Sequence, residues 1–293
     1  MAGIGPDVVT PLTVEALHAQ IEQERRKRIE EHQQAVARLA AAPEALAATI
    51  ARPLNIFAEG DSWFDYPFEP DVIDVVQAGG APPPLILNLA HHGDAAAEML
   101  GVAKRRRIID NLQNPANGTF DALLFSGGGN DIAGDQFCLW IVQNTGGIDP
   151  TYGFDRQRLA DILGVVEAAY VDLVQIRDQY APHCAIFVHA YDFAQPTGQG
   201  VCGLGPWLKP SLDLRGWTKF PEAAQIVKEV LQAVDKLLTR FEQQHTNVVY
   251  VRTQGTLSAG SDWANELHPT GQGFGKIGAV FLKALRANFK GRI

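Results

Sequence analysis

Leu54-Asn55-Ile56-Phe57-Ala58-Glu59-Gly60-Asp61-Ser62-Trp63 is the stretch on which the fold turns. Residues 54–58 form a short, mostly apolar run that stops at Gly60 and leads into a turn carrying Ser62. A run of this length suits a strand covered on both faces. Similar runs follow at 85–89, 122–125, 185–190 and 248–251, with helical patterns at 94–113, 156–181, 221–245 and 271–289. Strand alternating with helix implies right-handed crossovers and a parallel sheet. Five such strands predict an α/β fold: a flavodoxin-like, doubly wound parallel sheet with three α/β/α layers.

Outward from this core, residues 12–42 predict a long helix. Val14, Leu17, Ile21, Ile29, Val36 and Leu39 recur at helical spacing, though charges break the stripe. Pro43 is expected to interrupt it. The chain therefore divides into an N-terminal helical arm, 1–50, and a main domain, 51–293. The arm either packs across the main domain or mediates self-association as a homo-oligomer. Two further stretches, 132–154 and 194–220, are rich in Gly, Pro and aromatics, including Trp140, Tyr152, Trp207 and Trp217. Both follow strand ends, where long loops form walls or lids of a site.

Composition excludes several classes. A formal net charge of −8 argues against a nucleic-acid surface, and the run Lys104-Arg105-Arg106-Arg107 reads as a solvated helix face. Three cysteines, Cys138, Cys184 and Cys202, with no CxxC spacing, make neither a disulfide framework nor a zinc site. Cys184 reads as a core residue; one bridge between Cys138 and Cys202 stays open. The first thirty residues hold no apolar block of signal-peptide length, and no run approaches a membrane span. A cytoplasmic location is expected.

Four motifs carry chemistry: Gly60-Asp61-Ser62-Trp63, Gly93 after the second strand, Gly128-Gly129-Asn130-Asp131 after the third, and His268-Pro269 before the last helix. In a parallel sheet these points converge on one edge. Together they offer a hydroxyl nucleophile, a base and oxyanion donors, the apparatus of acyl transfer. The elbow Gly-x-Ser-x-Gly is absent, and the serine follows the first strand instead.

This order resembles the SGNH, or GDSL-like, hydrolase superfamily of esterases and lipases. The resemblance implies a strand order of 2-1-3-4-5 and no metal or organic cofactor. It implies Ser62 as nucleophile and His268 as base, with an oxyanion hole of Ser62 N–H, Gly93 N–H and the Asn130 amide. Asp61 is then largely structural. The substrate would be a small ester, a lipid or an acetylated sugar, hydrolysed through an acyl-enzyme. The same residues would serve an acyltransferase, and a non-catalytic carbohydrate- or lipid-binding descendant is the remaining alternative. The family places an aspartate three residues before the histidine, where this chain has Asn265. Asn265 itself, a backbone carbonyl, or Asp262 folding back are three ways to orient His268. Around this set, His91, His92 and His189 lie near strand ends. Asp192 either lines the substrate wall or caps a turn, and Trp63 either flanks the acyl pocket or sits in the core.

Overall fold

The structure, a computed structural model, describes residues 13–41 and 52–293. Strands β1 (Asn55–Gly60), β2 (Leu85–Asn88), β3 (Ala122–Ser126), β4 (Ala185–His189) and β5 (Val248–Val251) form one sheet in the order β2-β1-β3-β4-β5, every pair parallel. The order reverses at β1, between β2 and β3, which is where an open α/β sheet opens a crevice at its carboxyl edge. All residues of β1, β3 and β4 are buried. That accounts for their unbroken apolar runs. Gly60 pairs with Ser126, and a Cβ on it would come within 2.9 Å of the Ser126 Cβ and carbonyl oxygen. Glycine is what lets the end of β1 close onto β3.

Among the described residues the helices of eight residues or more are α1 (Val14–Ala40), α2 (Val72–Gly79), α3 (Val102–Gln113), α4 (Arg156–Tyr180), α5 (Phe220–Gln244) and α6 (Gly271–Asn288). α2 packs against α6, while α3 packs on α4 and α4 on α5. Two helical layers thus flank the sheet. The pattern expected over 94–113 is broken at Leu100-Gly101, with a single turn at Ala96–Met99 before α3. α2 was not expected. It is only eight residues long, and Asp71 and Asp74 close a reciprocal capping box at its start.

The arm helix α1 lies on β2 and on the Pro115–Asn117 turn. Its attachment is polar more than apolar. Arg28 donates to the carbonyls of Asn88 and Ala90 and to the Asp65 carboxylate, while Arg25 reaches Asp94. Buried His32 stacks on Phe120, and Leu17 and Leu39 of the expected apolar stripe are exposed. Pro43 lies outside the described residues. The basic run on α3 is also more engaged than a solvated face: Lys104 pairs with Asp94, Arg105 with Asp172 and Arg107 with Glu59. Buried Glu59 has its carboxyl pushed up to about 7 by desolvation, against the pull of Arg107 and Arg25. All three cysteines are free thiols, with Cys184 in the core. Among the described residues no helix is long and apolar enough to cross a membrane.

Candidate active site

Ser62 sits on the turn that leaves β1, and its hydroxyl Oγ lies 2.7 Å from His268 Nε2. The other ring nitrogen, Nδ1, lies 2.9 Å from Asn265 Oδ1. The same Oδ1 accepts the backbone N–H groups of Leu267 and His268, at 3.1 and 3.0 Å. Those two donors identify the atom facing the ring as the amide oxygen. His268 Nδ1 must then carry the proton, and Nε2 is left as an acceptor for the Ser62 hydroxyl. Asn265 Nδ2 donates to the Tyr66 hydroxyl, and the Tyr66 ring stacks on His268 at 4.5 Å. Burial, with a smaller push from the His92 charge, lowers the His268 pKa to about 4. The imidazole is therefore neutral over the ordinary pH range.

The structure does not bring Asp262 to this row. Its carboxylate accepts from Lys276 Nζ and from Ser258 N–H, each at 2.7 Å, and these bonds hold it ionised below the usual carboxylate range. Its backbone carbonyl accepts the Thr270 N–H at the start of α6. Asp262 thus shapes the loop carrying His268 from a position off the ring.

Of the expected oxyanion donors, Gly93 lies on the His91–Asp94 turn with φ +85°, a left-handed conformation that favours glycine. Among the described residues neither Ser62 N–H nor Gly93 N–H has a hydrogen-bond acceptor. Asn130 lines the pocket beside Ser62, whereas Gly93 is not among its lining residues. One Asn130 Nδ2 hydrogen goes to the Asp94 carbonyl at 3.0 Å, which leaves the second for a ligand. The Asp131 carboxylate accepts from Ala96 N–H and Ala97 N–H, so the second and third motifs are tied together.

Beneath Ser62 is a second polar chain. Asp61, 2 % exposed, accepts from Trp63 N–H, the Ser126 hydroxyl and the Tyr191 hydroxyl. Burial raises its carboxyl to about 6 against these bonds. Tyr191 N–H points to His189 Nδ1, so His189 carries its proton on Nε2 and donates it to Ser126 Oγ at 2.8 Å. Tyr191 adopts a left-handed backbone, φ 58°, while its hydroxyl also accepts the Gly129 N–H. This strained residue ties β4 to the first and third motifs.

Other residues were only partly foreseeable. The buried Glu266 carboxylate gathers four backbone N–H groups, from Gly198, Trp207, Leu208 and Lys209, at 2.6 to 3.1 Å. It pins the 194–220 stretch over the site, with Trp207 edge-on to His268. Asp192 caps a turn, accepting from Phe193, Gly255 and Leu257 N–H groups, and it also lines the pocket. Trp63 likewise does both, packing against Tyr191, Trp263 and Phe274 within the core. His91 and His92 stack on one another, and His92 faces Asp65.

Ser62, Asn130 and His268 line one pocket, with a cavity of about 60 Å³. Its walls come from α5 and from both long loops, through residues such as Ile132, Phe137, Leu208 and Val230.

No protein-family model matches this chain, and no curated protein does. Solved structures do. A lipase from a goat rumen metagenome aligns at 14% identity over 79% of this chain and 97% of that one, with a TM-score of 0.52. An extracellular lipase from Streptomyces rimosus aligns at 17% identity, over 80% and 99%, with a TM-score of 0.48. A carbohydrate acetylesterase from Sinorhizobium meliloti aligns at 12% identity, over 80% and 100%, with a TM-score of 0.46. The chain shares its overall fold with the rumen lipase.

Proposed function

We propose that this chain is a serine-dependent hydrolase of carboxylic esters. The observation that carries the reading is the hydrogen-bonded row Ser62–His268–Asn265, of which Ser62 and His268 line a mostly apolar pocket. In the proposed reaction Ser62 Oγ attacks the ester carbonyl while its proton passes to His268 Nε2. Ser62 N–H, Gly93 N–H and the free Asn130 N–H hold the tetrahedral oxyanion. The imidazolium then protonates the departing alkoxide, leaving an acyl-serine. Water attacks the acyl-serine with its proton going to Nε2, and Ser62 recovers its proton as the acid departs.

Asn265 would fix the tautomer and the ring plane but bring only an amide dipole to the imidazolium. Low histidine basicity is consistent with that arrangement. The fold alone does not argue this chemistry, since one fold hosts many functions. The site geometry does.

A fluorophosphonate probe combined with p-nitrophenyl acetate turnover tests the reading. Labelling of the native protein at Ser62, absent in Ser62→Ala, is the expected result. A folded native protein that is neither labelled nor active on any ester would reject it.

A further inference from the structure

We infer that the pocket beside Ser62 is an acyl-chain pocket, and that the substrates are esters of unbranched, medium-chain carboxylic acids. This rests on the esterase reading above and narrows it away from acetylated sugars.

The first argument is the wall. Val227, Val230, Leu231 and Val234 of α5 face the cavity, the i, i+3, i+4, i+7 set of one helix face. Ile132 and Phe137 of the first long loop stand in the lining with them. Val227 to Val234 covers about 10 Å of helix axis. That is the length of an acyl group of roughly eight carbons.

The second argument is what the polar lining has left to offer. Asp61 already accepts from Trp63 N–H, Ser126 and Tyr191. The Tyr191 hydroxyl donates to Asp61 and accepts from Gly129 N–H. The Asp192 carboxylate takes three backbone N–H groups. Among the lining side chains Asn130 keeps one free N–H, and the acceptor sites left over are few, on Ser62 Oγ, Asp61 and Asp192. A sugar ring placed in the cavity would leave most of its hydroxyls unpaired, at a cost that discriminates against it. A methylene chain loses nothing there and leaves water.

Rate measurements on p-nitrophenyl esters from acetate to dodecanoate test the inference. Each added methylene should raise kcat/KM by about threefold to fourfold until the cavity is full. The rise from acetate to hexanoate should therefore be about 10²-fold, with a maximum near octanoate. Val230→Phe and Ala133→Leu, which enlarge two lining side chains and shrink the cavity, should each lower the octanoate-to-acetate ratio at least tenfold. Should either variant fail to fold, the native series still decides. A second readout needs no turnover: octanoate should bind the native protein about 10²-fold more tightly than butyrate by calorimetry.

A flat chain-length profile in a protein that hydrolyses acetate would overturn the acyl pocket and leave the esterase reading standing. Octanoate binding without ester turnover or probe labelling would do the reverse. Equal binding of octanoate and butyrate would overturn the pocket whichever way the assays fell.

Discussion

Two serine–histidine pairs lie within the same sheet edge, and their contacts run in opposite directions. His268 Nε2 lies 2.7 Å from Ser62 Oγ, and His189 Nε2 lies 2.8 Å from Ser126 Oγ. Both rings are buried, and burial lowers both pKa values, to about 4 and about 3. The difference lies at the far nitrogen. His268 Nδ1 faces an amide oxygen, so Nε2 is free to accept the serine proton. His189 Nδ1 faces the Tyr191 N–H, so Nε2 already carries a proton and donates it. The Ser126 hydroxyl in turn donates a hydrogen bond to Asp61. Distance alone does not distinguish a base from a brace; the partner of the second ring nitrogen does.

The largest expected effect breaks the symmetry on turnover. Under the proposed function Ser62→Ala should lower kcat by about 10⁶ and leave the melting temperature near that of the native protein. Activity within tenfold of native would remove Ser62 from the reaction.

Acid stability gives the next largest difference. The native His268 pKa lies near 4, below the ordinary 6.5. Between those values the unfolded chain takes up a proton that the native imidazole refuses, so stability is lost as pH falls from about 6.5 toward 4. Asp61 and Glu59, with carboxyls raised to about 6 and about 7, act in the opposite sense in native protein and variant alike. Replacing His268 by Gln deletes one slope only. The variant should gain on the native protein by on the order of 3 kcal/mol between pH 7 and pH 4 in denaturant titrations. A gap that stays constant across that range would mean that His268 titrates normally.

Ser126→Ala should cost less, about 1–3 kcal/mol of stability, because it leaves the buried His189 N–H without an acceptor. Its effect on turnover should stay far below that of Ser62→Ala. A loss comparable to Ser62→Ala in a well-folded variant would put the Ser126–Asp61 chain into the chemistry itself.

The sheet was legible because strands covered on both faces need continuous apolar residues, and five such runs stood between helical patterns. α2 was not, because Val72, Ile73, Val75 and Val76 are too few and too β-branched to show a helical period. The Asp71–Asp74 capping box was the usable signal. The meeting of Ser62, Asn130 and His268 on one pocket was legible from their places after strands or before the last helix. The Ser126–His189 pair was not, since a serine ending one apolar run and a histidine ending another become partners only through the β3–β4 register. The four N–H groups converging on Glu266 come from a stretch without regular sequence period, and only the folded loop brings them together.

The finest comparison concerns what stands behind each ring. Asn265→Asp would place a carboxylate where the amide oxygen now accepts three N–H groups. Those donors suit a carboxylate equally well, and the Tyr66 hydroxyl need only rotate to donate where it now accepts. The negative charge favours imidazolium, so the His268 pKa should rise from about 4 by about 1–3 units. The acid limb of kcat/KM should move up by the same amount. Above that limb, near pH 8, the rate should stay within about tenfold of native and can exceed it, because the charge also favours the imidazolium formed in the transition state. Asp262→Asn is the control, since that carboxylate holds Lys276 and Ser258 and does not touch the ring. It should leave the acid limb where it is. A limb that moves in Asp262→Asn and not in Asn265→Asp would reassign the orienting role to Asp262. A limb fixed in both would leave His268 oriented by backbone, with Asn265 serving only the turn that it caps through Leu267 and His268 N–H groups.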